Sequence, residues 1–155
     1  AVLAAGVVSL FQDTIKEVVA LAVFMPVVAG MGGNAATQTL TVTVRGIALG
    51  ELTWGNSRKA LVKEVLVGLG NGLILGFVAA GVAWVMEGDP VLGLILGLAM
   101  VLNMVVAATA GTLIPIVLRA LNVDPALASS VFITTLTDVF GFLKPFEKPP
   151  VFGLS

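Results

Sequence analysis

Apolar residues run along this chain in long stretches, and charged residues gather between them. Residues 18–44, 65–86 and 90–118 carry no charged side chain. Each stretch is longer than the ~20 residues that an α-helix needs to cross the ~30 Å hydrocarbon core of a bilayer. Residues 126–143 are also apolar, apart from hydroxyl groups and one acid, Asp138. The pattern therefore predicts membrane-spanning helices.

The predicted fold class is an all-α membrane protein with a bundle of five transmembrane helices in each subunit. The predicted helices cover residues 1–11, 17–45, 60–86, 90–118 and 125–143. We interpret the first as the end of a truncated helix, because eleven residues reach only ~16 Å and the chain does not begin with Met. A signal peptide is the alternative, but the segment lacks a basic start and a cleavage pattern.

We expect residues 1–145 to form one transmembrane domain and residues 146–155 to form an irregular extracytoplasmic tail. Three prolines between residues 145 and 150 rule out a continued helix there. Lysine and arginine then set the orientation. One side of the membrane collects Arg45, Arg58, Lys59, Lys63 and Arg119, and the other collects Lys16, Lys144 and Lys148. This bias predicts a multi-pass protein of the cell (inner) membrane with residues 46–60 in the cytoplasm.

The amino-acid composition mainly excludes classes of protein and of functional site. The chain is 58% hydrophobic and 11% charged, whereas a soluble domain is about a quarter charged, so the lipid bilayer is its expected surrounding. The sequence contains no Cys and no His, which excludes disulfides, the usual zinc, copper and haem ligands, and a paired nucleophile and base. We therefore expect no enzyme, and the net charge of −1 gives no reason to expect a nucleic-acid partner.

The fifth predicted helix contains an unusual acid. Asp138 is the one acidic residue well inside an apolar stretch, and a carboxylate at the bilayer centre costs ~2.5–3.5 kcal/mol even on the mildest scale. Thr134, four residues earlier, shares its helix face. Because no basic residue lies at matching depth, we expect an ion site here. The alternative is a protonated Asp138 that is hydrogen-bonded inside the bundle.

The second predicted helix has the other polar face, and glycines interrupt it at positions 30, 32 and 33. The polar residues at helical spacing are Asn34, Thr37, Gln38, Thr41 and Arg45. The glycines are expected to weaken the helix, and unwound backbone at membrane depth is tolerated only where it is buried in protein or lines a cavity. The alternative is a tight helix crossing at these glycines.

Small residues elsewhere predict close helix packing. Gly68, Gly72, Gly76 and Ala80 recur every four residues, as do Gly93 and Gly97, and this spacing lets membrane helices approach one another. Asn71 and Asn103 are predicted to form hydrogen bonds between helices.

The candidate ligands are carboxylate, hydroxyl, amide and carbonyl oxygens, which suit Mg²⁺, Ca²⁺ or Mn²⁺. One aspartate supplies half of the charge that a divalent ion needs. A two-fold homodimer would bring two copies of Asp138 to a pore on its axis, so we favour a dimer over separate monomer pathways.

Several segments together resemble a known family. Residues 31–38 (MGGNAATQ), 43–46 (TVRG), 48–51 (ALGE) and 134–142 (TTLTDVFGF) are similar to the transmembrane domain of the MgtE magnesium transporters, which is related to solute carrier family 41. The resemblance covers nearly the whole chain. It implies a homodimer with five helices per subunit and a Mg²⁺-selective pore that helices 2 and 5 line on the dimer axis.

The resemblance also implies a set of ion-site residues. Asp138 would be the main one, with the backbone carbonyl of Thr134 one turn earlier and a polar lining of Gly33, Asn34 and Thr37. Thr37 stands where the family often has Asn, so Ca²⁺ and Mn²⁺ stay open as transported ions beside Mg²⁺. The family's cytoplasmic CBS-type regulatory domains are expected partners, although the sequence of this chain contains no counterpart of them.

Two other functions stay open. One is a cation exchanger coupled to H⁺ or Na⁺, because a membrane carboxylate can carry a proton as well as hold an ion. The other is a non-transporting membrane partner in which Asp138 is a packing residue.

Overall fold

The computed structural model describes residues 2–10, 19–127 and 130–143, and within them the fold is entirely helical. Its helices are α1 (Val2–Leu10), α2 (Val19–Ala48), α3 (Ser57–Glu87), α4 (Pro90–Ala120) and α5 (Ser130–Leu143), with a short 3₁₀ turn at Pro125–Leu127. The predicted ends of the third and fourth helices lie within three residues of the observed ends. The predicted tail at 146–155 lies outside the described residues.

Two helices of the described part, α3 and α4, are each long and apolar enough to cross a bilayer. At 30 residues, α2 is ~45 Å long, so its length also suffices for a bilayer. The predicted all-helical class is confirmed at this level.

α3 and α4 form an antiparallel hairpin that packs through small residues. A Cβ placed on Gly76 would lie 2.7 Å from the carbonyl oxygen of Gly97, and one placed on Gly93 would lie 2.6 Å from that of Ala80. Real Cβ atoms do not come this close to an oxygen, so only glycine permits this backbone approach. The predicted role of the four-residue glycine spacing is thus confirmed.

The remaining core lies where α2 packs between α4 and α5. α2 and α4 run parallel, because Gly32 contacts Asn103 and, further along both helices, Gly111 contacts Ala36. α5 runs antiparallel to α2, because Gly33 contacts Thr134 whereas Ala29 contacts Gly141, and α1 packs against α5. One buried apolar cluster joins α2 to α3 and α4, and the second joins α2, α4 and α5. α3 packs mainly on α4 and leaves much of its apolar surface uncovered.

One local expectation was wrong. α2 is an unbroken helix through Gly30, Gly32 and Gly33, because packing against two neighbouring helices outweighs the weak helix propensity of glycine, about 1 kcal/mol per residue. At the start of the fifth predicted helix, Pro125 begins the 3₁₀ turn Pro125–Leu127. The Asp124 carboxylate accepts a hydrogen bond from the Ala126 amide at 2.9 Å, which is the bond of a helix N-cap, and α5 is described from Ser130.

Arg119, at the end of α4, holds the loop between α2 and α3. Its Nη1 donates to the carbonyl oxygen of Leu52 at 2.6 Å, and its guanidinium lies 5.6 Å from the centroid of the Trp54 ring, within cation–π range. The contact brings Arg119 to the same end of the bundle as Arg58 and Lys59 at the start of α3. Lys16, Lys144 and Lys148 lie outside the described residues.

Candidate functional site

The candidate site residues meet where α2 crosses α5. A Cβ on Gly33 would lie 3.0 Å from Thr134 Cγ2 and 3.7 Å from Thr137 Oγ1. Further along the crossing, a Cβ on Gly141 would lie 3.1 Å from the Cα of Ala29. Asp138 stands between these two contact levels along α5. It therefore lies at the level of residues 29–33 of α2.

The adjacent glycines of α2 contact different helices. Gly33 faces Thr134 of α5, whereas a Cβ on Gly32 would overlap the side-chain amide of Asn103 in α4. Neighbouring residues of a helix point about 100° apart, so two glycines in a row let α2 approach two partners at one level. The tight crossing, rather than an unwound segment, is the role that the structure gives them.

Threonine hydroxyls on both helices bond to the backbone of their own helix. Thr37 Oγ1 donates to the Gly33 carbonyl at 2.9 Å, and Thr137 Oγ1 donates to the Thr134 carbonyl at 2.9 Å. Each of these carbonyl oxygens also accepts the backbone hydrogen bond of the helix. The two hydrogen bonds together use both lone pairs of the oxygen. In this conformation, neither carbonyl is free to bind an ion through a lone pair.

Polar side chains also form a stripe on the outer surface of α2. We call it the polar stripe; its exposed side chains are Asn34, Gln38, Thr41 and Arg45, and exposed Gly30 lies one turn before them on the same face. The residues follow one another at intervals of four, four, three and four, as expected for one helix face. Thr37, which the sequence placed on this face, is half-buried. A stripe of this polarity is costly against lipid, so it needs water or another protein surface beside it.

Asp138 on α5 is half-buried and carries the negative charge at the crossing. In the part of the chain that the structure describes, no group of three or more acidic, His or Cys side chains could hold a metal ion. The side chains described here thus provide the Asp138 carboxylate, the exposed Asn34 amide, and the Thr37 and Thr137 hydroxyls, both of which already donate a hydrogen bond.

Sequence reasoning missed a crevice of about 170 Å³ between α2, α3 and α4. Its polar lining residues are Gln38, Thr39, Glu64 and Asn71. Asn71, predicted to form a bond between helices, is instead exposed in this crevice. Glu64 was not considered, although its distance of seven residues from Asn71 places both on one face of a helix.

The other predicted asparagine does bridge two helices. Asn103 is 1% exposed, and its Nδ2 donates to the Val28 carbonyl at 2.7 Å. This bond joins α4 to α2 one turn before Gly32.

Comparison with known proteins places these residues in a family context. Residues 25–145 match the MgtE family model, described as a divalent cation transporter. Three similar relatives each bear the name Magnesium transporter MgtE. The protein of Thermus thermophilus is 40% identical over 86% of this chain, that of Bacillus subtilis 37% over 89%, and that of Enterococcus faecalis 37% over 96%. The chain spans about a third of the length of these relatives, from 29% to 33%.

Proposed function

Because the chain belongs to the MgtE family of divalent cation transporters, we propose that it forms the membrane-embedded, ion-conducting part of a magnesium transporter. Its helices cross the membrane, and two copies pair around an axial pore that α2 and α5 of each copy line. Cytoplasmic regulatory domains of the CBS type act on this pore.

The observation that carries the proposal is the position of the polar stripe. It lies on the outer surface of the subunit, and the level of Gly30–Asn34 on α2 is also the level of Asp138 on α5. A second copy facing this surface would enclose the stripe in a water-filled passage, which removes the cost of exposing it to lipid.

The charge supports the same pairing. Two copies of Asp138 around an axis provide two negative charges, which match one divalent ion. Mg²⁺ gives up its water reluctantly and commonly keeps several waters when bound by one or two carboxylates. Asp138 then attracts a hydrated Mg²⁺, and Asn34 and Thr37 contact its water shell. Since the Gly33 and Thr134 carbonyls accept hydroxyl hydrogen bonds, they contribute to this lining through their partial negative charge.

Mg²⁺ flux into proteoliposomes tests the proposal. The full-length transporter is reconstituted at a fixed membrane potential without a pH or Na⁺ gradient. Asp138→Asn keeps the size of the side chain and removes its charge, so we expect the flux to fall by roughly tenfold or more. Glu87→Gln, at the exposed end of α3, is the matched control and should conduct like the wild type.

Each alternative function has its own outcome. Wild-type flux in Asp138→Asn would show that another group attracts the ion. Flux that requires an opposing H⁺ or Na⁺ gradient would indicate a coupled exchanger. The absence of flux from well-folded protein under every gradient would indicate a non-transporting partner.

A further inference from the structure

A groove with basic and apolar walls opens at the start of α3, away from the crossing of α2 and α5. We call it the basic groove; it is an open depression of about 580 Å³ along the surface of α3. Its lining residues are Arg58, Lys59, Val62, Lys63, Leu66 and Val67. The charged residues belong to the first two turns of the helix and the apolar ones extend further along it. The groove is therefore basic at the helix end and apolar toward the middle of the helix.

The charge of this groove is uncompensated within its lining. Among the described residues that line it, three of the six side chains are cationic and none is acidic. The nearby Glu64 lines the crevice against α2 and α4 instead. The first turn of α3 also contains no acid, although the positive end of a helix dipole favours anions over cations. An anion held by Arg58 and Lys59 would relieve this local repulsion.

The apolar half of the groove continues along the helix. Leu66, Leu73 and Phe77 follow one another at intervals of seven and four residues, which keeps them on one side of the helix. They are 59%, 56% and 83% exposed, because α3 packs on α4 through the opposite, glycine-rich side. From Lys63 to Phe77 the helix rises ~21 Å, which is enough to follow an acyl chain through half of a ~30 Å hydrocarbon core.

We propose that the basic groove binds an anionic phospholipid. Its phosphate group is held by Arg58, Lys59 and Lys63, with the Arg58 guanidinium able to bond two phosphate oxygens at once. Its acyl chain lies over Val62 and Leu66 and continues toward Phe77. The inference rests on the membrane insertion proposed above, but not on the ion pathway.

A lipid explains this groove better than a soluble anion does. Half of the lining side chains are apolar, and a free phosphate ion would leave them in contact with water. A lipid satisfies both halves, since basic pockets at the membrane surface recognise anionic headgroups and the acyl chain covers the apolar surface.

Native mass spectrometry of the detergent-solubilised full-length transporter tests this proposal. Dioleoylphosphatidylglycerol is titrated against dioleoylphosphatidylcholine, which has the same chains and no net charge. We expect the anionic lipid to bind more tightly. The triple variant Arg58→Gln, Lys59→Gln, Lys63→Gln should weaken this binding by about fivefold for each charge removed, or on the order of a hundredfold in total.

Matched variants separate the two halves of the groove. One control is a second triple variant, Arg58→Lys, Lys59→Arg, Lys63→Arg. It keeps the positive charge and should retain the lipid. Leu66→Ser should weaken binding, whereas Leu98→Ser, a leucine of α4 that is 55% exposed, should not. All variants are compared at equal yield and equal thermal stability.

Three results would overturn the proposal. One is equal binding of the two lipids, and another is retention of the anionic lipid by the triple glutamine variant. The third is equal competition by glycerol 3-phosphate, which carries the headgroup charge without acyl chains and would indicate a site for soluble anions. Because lipid binding is measured without transport, a failure of the proposed ion pathway would not alter these results.

Discussion

At the scale of single residues, the contact between Gly32 and Asn103 fixes how closely α2 and α4 approach. The Asn103 amide fills the space that a Cβ on Gly32 would occupy, and the same amide donates to the Val28 carbonyl. One side chain thus occupies the gap between the helices and hydrogen-bonds across it. Such a contact has little freedom to adjust, since a buried amide that loses its partner costs about 1–3 kcal/mol.

Gly32→Ala should therefore destabilise the protein, although alanine is the better helix former. We expect a loss of about 1–3 kcal/mol, as for other overpacked cores, seen as a lower midpoint of thermal unfolding in detergent. The control is Gly81→Ala, because a Cβ on Gly81 meets no atom within 4 Å, and it should be neutral or stabilising.

A double-mutant cycle tests the physical cause. If overlap with the amide is responsible, Asn103→Ala should absorb most of the cost of Gly32→Ala, and the two effects should not add. Additive effects would mean that the alanine disturbs something other than Asn103.

At the scale of helices, the antiparallel crossing of α2 and α5 determines which site residues meet. The Cβ of Ala29 lies 3.3 Å from the position of a Cβ on Gly141, close to the 3.5–4.5 Å that a disulfide requires. The sequence contains no Cys, so an introduced pair has no competing thiols.

Ala29→Cys, Gly141→Cys should form an intramolecular disulfide under mild oxidation, scored by protection of both thiols from a maleimide. The control pair is Gly30→Cys, Gly141→Cys, because Gly30 is exposed and no atom lies within 4 Å of its Cβ position. Equally fast oxidation of the control pair would contradict this crossing.

Helix positions were largely predictable from the charged residues, but the continuity of α2 was not. Asp124 followed by Pro125 has the side chains of a helix start, and the Asp124 carboxylate accepts the Ala126 amide hydrogen bond of an N-cap. The continuity of α2 through its glycines depends on α4 and α5, which no local pattern reveals.

At the scale of the whole molecule, the sequence predicted the polar face of α2 and the isolated acid of α5, since both stand out in an apolar chain. It missed Glu64, which lies beside Lys63 at the end of an apolar stretch and reads as an ordinary boundary charge. It also could not show that Thr37 turns its hydroxyl toward the Gly33 carbonyl.

The proposed dimer axis predicts a crosslink between subunits. Asn34→Cys, on the polar stripe, should link to its copy in the other subunit through a flexible bis-maleimide and give a covalent dimer on denaturing gels. The control is Phe77→Cys. The native Phe77 side chain is 83% exposed but lies on the apolar side of α3, so this variant should remain monomeric. The reverse result would place α3, rather than α2, at the axis.

The unbroken helix α2 also has a mechanical consequence. Beyond Pro26 it continues for 22 residues to Ala48. This part of the helix is ~33 Å long and is not interrupted at the glycines. A tilt applied at the Ala48 end would then be carried along the helix to Asn34 and to the contact between Gly33 and Thr134. The loop that Arg119 binds through the Leu52 carbonyl follows this end of α2. A displacement of the loop would therefore act on α2 at Ala48.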